Sequence, residues 1–175
     1  MVPPPPRPDT AAAPTKTAIV AELRAQLSAR LSVAQQAAAD AFAAATHEEA
    51  RAENKYDTRA LEQSYLSAGQ NARIAALRDQ IAAVHFYAPP STPPERVALG
   101  ALVGVEVERG DQVHHRWLLL LPFQVGETLQ VEGHEVFATD VHAPMALALL
   151  GRQEGDSVTF PGDRVPRTLT VVSLS

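Results

Sequence analysis

Five carboxylates crowd residues 47–66, HEEARAENKYDTRALEQSYL: Glu48, Glu49, Glu53, Asp57 and Glu62. Oxygen donors of this type suit Mg²⁺, which is usually held by one or two carboxylates with water and phosphate completing its octahedron. Two-metal phosphoryl chemistry places the ions about 3.5–4 Å apart. The plainer reading is a solvated helical face. There Glu48 pairs with Arg51 three residues on, worth only about 0.2–0.5 kcal/mol. Thr46 with Glu49 also fits a capping box, which would start a helix at that point.

Those carboxylates need something to carry them. From Thr15 to Val84 the chain contains no proline. Val20, Leu23, Leu27, Leu31, Ala34, Ala38, Ala41 and Ala45 recur mostly at spacings of three and four, the seam of a packed helix pair. A second run places Leu61, Tyr65, Ala68 and Ala72, then Ile74, Leu77, Ile81 and Val84, on a returning helix. Its phase slips near Gly69, which reads as a stutter. Two such runs with a polar stretch between them predict an antiparallel coiled-coil hairpin over residues 15–86. A helix of about 30 residues reaches about 45 Å at 1.5 Å per residue, so the acidic stretch would sit at the tip of a rod. The bland alternative is the core of an ordinary helical bundle.

The flanks differ in composition. Residues 1–14 are rich in proline and alanine, which predicts an extended, solvated tail. HFYAPPSTPP, residues 85–94, stops any helix, so residues 87–95 read as a linker. Residues 96–175 change to a strand reading. Val97–Glu108 alternates loosely and is interrupted by Gly100 and Gly104. Arg109-Gly110-Asp111 is a turn, and Val113–Pro122 is a strand whose WLLLL centre is buried on both faces. Thr128–Val131 and Glu135–Thr139 flank the hairpin signal Glu132-Gly133-His134. Pro144–Leu150 is a short helix with proline at its first position and Gly151 as its left-handed stop. Asp156–Phe160 and Thr168–Leu174 are strands joined across Pro161-Gly162-Asp163. The fold class is α+β.

The 175 residues carry a net charge of −5 and no cysteine. The acidic balance argues against non-specific nucleic-acid binding, which needs a basic face. The lack of cysteine excludes disulfides, thiolate metal sites and a cysteine nucleophile. No signal-peptide pattern opens the chain, and the most apolar run, Trp117–Phe123, is too short to span a bilayer. A cytoplasmic protein, outside the membrane, is the expectation. His114, His115, His134 and His142 have irregular spacing for a metal site, and no GxSxG-type nucleophile motif occurs.

Taken together, the two halves resemble the bacterial GreA/GreB transcript-cleavage factors. Ala143-Pro144-Met145-Ala146-Leu147-Ala148-Leu149-Leu150-Gly151, followed by Gly155-Asp156 and a strand, is similar to the family's SPxxxxLxGxxxGD signature. Leu99-Gly100-Ala101-Leu102-Val103 resembles the first strand of the same domain. Glu53-Asn54, Tyr56, Glu62-Gln63 and Tyr65-Leu66 resemble the family's hairpin tip and returning helix. The resemblance implies a coiled-coil hairpin followed by an FKBP-like α+β domain. It also implies a partner, bacterial RNA polymerase, whose secondary channel the hairpin enters while the second domain docks on the rim.

On this resemblance Glu53, Asn54, Asp57 and Glu49 are the expected tip residues. Glu53 and Asp57 are the expected ligands of a Mg²⁺ shared with the polymerase, and His142, Pro144 and Met145 the expected rim contacts. The protein would then be no enzyme itself. It would be a monomer that stimulates cleavage of backtracked RNA by the polymerase. Three departures stand out. Ala50 occupies the position of a family aspartate. The stretch from Glu53 to Ala72-Arg73-Ile74 is a few residues longer than usual. His142 and Ala143 replace a polar or acidic residue and a serine. The altered tip leaves open a channel-binding inhibitor that does not stimulate cleavage. Two further readings are a prolyl isomerase or chaperone built on the second domain, and an adaptor that self-associates through its helices.

Overall fold

The structure, a computed structural model, describes residues 13–49, 59–160 and 166–175, and of residues 45–49 and 59–64 the backbone only. Its element order is α1 (Lys16–Glu49), α2 (Arg59–Phe86), β1 (Leu102–Arg109), β2 (Gln112–Leu121), β3 (Gly126–Val131), β4 (His134–Asp140), α3 (Pro144–Leu149), β5 (Ser157–Phe160) and β6 (Arg167–Leu174). The chain divides into two units. One joins the described residues up to Leu23 with Tyr87–Ser175, and the other is Arg24–Phe86.

In the helical unit, the large aliphatic residues carry the burial. Leu27 of α1 and Ile74, Leu77 and Val84 of α2 are buried, and Leu31 and Ile81 half-buried. The spacing from 74 to 84 is three, four and three, a heptad seam. Ala34 and Ala38 are half-buried as well, but four positions of the expected seam are corrected: Ala41, Tyr65, Ala68 and Ala72 are exposed. An alanine methyl has little area to hide, so full burial along the seam occurs only where leucine, isoleucine and valine supply area. The side chains of Ala45 and Leu61 lie outside the described residues. One further correction concerns continuity. Thr46 lies inside α1, so its capping box starts no helix. α2 runs without a break through Gly69, and a stutter shifts the seam phase within one such continuous helix.

Nothing approaches within 4 Å of the position a Gly69 Cβ would take. A glycine in an exposed helix interior costs about 0.5–1 kcal/mol relative to alanine. Gly69→Ala is therefore expected to stabilise the helical unit by about that amount, read as a higher denaturant midpoint by far-ultraviolet circular dichroism.

Among the described residues the sheet unit has six strands in the order β3-β4-β2-β1-β6-β5. Every pairing is antiparallel except β2 with β4, where Trp117–Leu121 run beside Val136–Asp140 in parallel. The β3–β4 hairpin turns on Glu132 (φ 52°) and Gly133 (φ 82°). Two consecutive positive φ angles make the tight turn whose twist matches paired strands.

Alternation sorts the strand side chains onto two faces. On one, Val103, Val105 and Val107 of β1, Leu118 and Leu120 of β2, and Leu169 and Val171 of β6 pack with Ala146 and Leu149 of α3. On the other, Leu102, Leu119, Leu121, Leu129, Val131, Val136 and Ala138 are also buried. The expectation that the WLLLL run is buried on both faces holds for Leu118–Leu121, which are fully buried, while Trp117 is half-buried.

Ile19, Val20 and Leu23, at the start of α1, are buried in this same unit. Thr15 fixes that start. Its hydroxyl accepts from Ala18 N (3.3 Å), and its own N donates to Glu132 Oε2 in the β3–β4 turn (3.0 Å). Lys16 Nζ donates to Pro90 O (3.0 Å), and partial burial of the ammonium lowers its pKa.

The glycines of the first strand region behave differently from the sequence reading. Gly100 (φ 79°) precedes β1, and a Cβ there would meet Pro90 Cδ at 2.6 Å and the Tyr87 hydroxyl at 3.0 Å. Gly104 does not interrupt the strand, as the sequence reading expected, but lies inside β1. A Cβ at Gly104 would collide with Ser173 Oγ and press on the Trp117 ring at 3.1 Å. Glycine is needed there for close approach and not for a turn.

Candidate functional site

The acidic stretch falls between the two long helices. Glu49 is the last residue of α1, and α2 begins at Arg59. Glu53, Asn54 and Asp57, with Ala50 and Tyr56, lie outside the described residues, as do the side chains of Glu48 and Glu49. At 1.5 Å per residue the 34 residues of α1 extend about 51 Å and the 28 of α2 about 42 Å. Residues 50–58 thus connect two elements, each as long as the sequence reading asked for.

The second set of expected residues surrounds α3. Asp140 closes the turn that leads into it: its Oδ1 accepts from His142 N (2.9 Å) and its carbonyl from Ala143 N (3.0 Å). Ala143 has the extended backbone of an N-cap (φ −64°, ψ 144°) but offers no side-chain acceptor. Pro144 occupies the first helical position, where a missing N–H costs nothing. The helix stops at Leu150, and Gly151 (φ 77°) donates its N–H to Val97 O (2.8 Å) while its carbonyl accepts from Arg96 Nη1 (3.1 Å). Ala146 and Leu149 face the sheet. His142 and Pro144 are exposed and Met145 is half-buried. His142, Pro144 and Met145 therefore come together at one end of α3.

The empty N-cap has a measurable consequence. Ala143→Ser supplies an oxygen for the free N–H groups of the first turn, a contact worth about 1 kcal/mol. The unfolding midpoint of the sheet unit is expected to rise by about 4–8 °C. Trp117, the single tryptophan, lies on β2 and reports that unit by fluorescence.

The Gly155-Asp156 pair acts as a brace. Gly155 (φ 89°) donates its N–H to Val171 O (2.8 Å). Asp156 Oδ2 accepts from Gln153 N (2.9 Å), and Glu154 Oε1 accepts from Leu174 N (2.9 Å). These bonds tie the α3–β5 connection to β6. The motif residues that carry the family resemblance thus hold α3 in place against the sheet.

The histidines scatter. His114 and His115 are neighbours on β2 and so face opposite sides of the sheet. His115 Nε2 is 3.7 Å from Glu106 Oε2, and the His134 ring stands edge-on to Trp117 at 6.3 Å. Among the described residues, no group of three or more histidine, aspartate or glutamate side chains is positioned to hold a metal ion. Tyr87 packs edge-on against Phe123 at 5.8 Å, and burial of its hydroxyl raises its pKa.

One feature was missed by the sequence reading. A groove of about 220 Å³ opens beside α3, lined by Val105, Val107, Arg109, His114, Arg116, Met145, Arg167 and Leu169. Its cations come from three strands. Their common face follows from the register: Val107 opposes His114 and Leu169, and Arg109 opposes Arg167. In the sequence Arg109 reads as part of a turn, Arg116 as a strand residue and Arg167 as flanking a strand, so the cluster becomes visible only once the pairing is known.

No protein-family model matches the chain, and no curated protein matches it. Among solved structures it is similar to Gfh1 of Thermus aquaticus, with 18% identity over 85% of this chain and 91% of that one and a TM-score of 0.35. It is similar to GreA factor homolog 1 (Gfh1) of Thermus thermophilus, with 21% identity over 87% and 94% and a TM-score of 0.33. It is also similar to the transcription elongation factor GreA/GreB from Nitrosomonas europaea, with 21% identity over 58% and 78% and a TM-score of 0.35.

Proposed function

We propose that this protein is a GreA/GreB-like regulator of bacterial RNA polymerase, working as a cytoplasmic monomer. The observation that carries the reading is the position of the acidic segment: residues 50–58, which contain Glu53, Asn54 and Asp57, connect the ends of two helices of 34 and 28 residues. A polar end on helices of that length suits insertion into a channel. The arrangement around α3 supports the same reading, because the motif residues there present His142, Pro144 and Met145 together.

In this account the helices enter the secondary channel, and the α3 end of the sheet unit contacts the rim. Glu53 and Asp57 contribute carboxylates toward a Mg²⁺ shared with the polymerase active site. Glu49 adds negative charge, and Asn54 orients water by its amide. The ion, when bound, supplies the positive charge that two-metal phosphoryl chemistry requires. The polymerase performs the cleavage, and this protein completes its site.

Ala50 favours one alternative. With no carboxylate at that position, the segment could occupy the channel without supporting cleavage, and the protein would inhibit. Binding comes first in either case. The protein is expected to co-elute with core RNA polymerase in size-exclusion chromatography and to be displaced by an established secondary-channel factor. Co-elution that such a factor leaves unchanged would reject the channel as the binding site.

A further inference from the structure

The arginine-lined groove beside α3 combines two features that an ordinary strand surface avoids. The first is a like-charge pair. Arg109 and Arg167 sit directly opposite each other on β1 and β6, an arrangement that destabilises a sheet. Among the described residues neither has an acidic partner. Arg116, by contrast, is held: its Nε and Nη2 donate to Glu135 Oε1 at 3.0 and 2.6 Å. The second feature is the floor. Val105, Val107 and Leu169 lie beneath the cations, and Met145 of α3 forms part of the lining.

We infer that this groove binds an acidic polypeptide segment of a partner protein, with carboxylates on Arg109 and Arg167 and an apolar side chain on the Val105–Val107–Leu169 floor. Three arguments select that occupant. The chain is acidic as a whole, at −5, so two guanidinium groups on one face with no acidic partner among the described residues mark a local reversal of charge. Guanidinium forks match carboxylates two bonds at a time. Finally, about 220 Å³ is below the roughly 300–1,000 Å³ typical of small-molecule sites. That volume suits one or two anchoring side chains whose backbone continues across the surface. The groove shares Met145 with the proposed rim contact, but the inference does not depend on RNA polymerase being the partner.

The test uses the full-length protein and a fluorescein-labelled peptide of sequence DDELFDEE, read by fluorescence polarisation. Arg167→Glu turns the repulsive cross-strand pair into an attractive one. It is expected to weaken peptide binding by at least about tenfold while raising the Trp117-reported unfolding midpoint by a few degrees. Arg109→Glu should behave in the same way, and binding to the unaltered protein should weaken as salt is added. The stability readout separates this proposal from a structural role, for which the midpoint would fall along with binding.

Several results would overturn it. One is peptide binding unchanged in both variants. Another is no binding to the unaltered protein while inorganic pyrophosphate binds, which would make the groove a small-anion site. A third is a salt-sensitive dimer abolished by Arg167→Glu, which would assign the groove to a second copy of the chain. None of these measurements contains RNA polymerase, so a failure here leaves the polymerase reading standing, and the reverse also holds.

Discussion

Leu149→Ala is expected to cost the sheet unit about 3 kcal/mol and to lower its unfolding midpoint by about 10 °C or more. Leu149 is fully buried. It shares the packing of the six-residue helix α3 on β1, β2 and β6 with one other fully buried helix residue, Ala146. A helix this short has no stability of its own, and its N-cap contributes no side-chain bond. Removing the leucine leaves a cavity under α3 that the sheet, already closed by Val103, Val105, Leu118 and Leu120, cannot collapse to fill. The control is Leu147→Ala, on the same helix but 52% exposed, with an expected change within about 0.5 kcal/mol. Trp117 fluorescence during denaturation measures both. Equal stability of the two variants would show that α3 is not held as described.

The functional consequence follows from the same geometry. His142, Pro144 and Met145 stay together only while α3 keeps its seat. Under conditions where the variant is still folded, Leu149→Ala should therefore weaken polymerase binding although it alters no exposed residue.

The second large effect belongs to the acidic segment. Glu53→Ala with Asp57→Ala removes both carboxylates proposed to reach the shared Mg²⁺. An ion held there would supply several kcal/mol of transition-state charge stabilisation, and about 1.4 kcal/mol is tenfold in rate. Stimulated cleavage should then fall by about 100-fold or more. Co-elution with the polymerase should persist, because α3 and its neighbours are untouched. Loss of binding together with cleavage would mean the segment is a docking element. Full cleavage in the double variant would remove Glu53 and Asp57 from any catalytic role.

Much of the sheet unit was legible because its signals are local. The hairpin at Glu132-Gly133, the proline that opens α3 and the left-handed Gly151 that closes it each follow from a backbone rule about one or two residues. The strands carry enough β-branched and leucine residues to be recognised by alternation. What failed to show in the sequence is non-local. Gly104 reads as a break until Ser173 and Trp117 are brought against it. The parallel pairing of β2 with β4 depends on the chain returning through β3. The Arg109–Arg167 pair exists only in the register of β1 with β6.

The helical half shows the opposite weakness. Its period was clear, but alanine fits a buried or an exposed position almost equally well. The exposure of Ala41, Ala68 and Ala72 therefore could not be read from spacing. Tyr65, 71% exposed, misled for a different reason: an aromatic ring in phase with a seam invites burial. Of the candidate site, the cluster around α3 was readable from its motif. Glu53, Asn54 and Asp57 are singled out by the resemblance to the GreA/GreB hairpin tip.

The central claim is tested most directly by adding the purified protein, with Mg²⁺, to a backtracked elongation complex carrying 5′-labelled RNA. The account predicts shortened 5′-labelled transcripts that appear faster than with polymerase alone and that disappear with Glu53→Ala and Asp57→Ala together. Unchanged cleavage with slowed elongation would contradict stimulation and leave a channel-binding inhibitor. No effect on cleavage or elongation would contradict the polymerase reading itself.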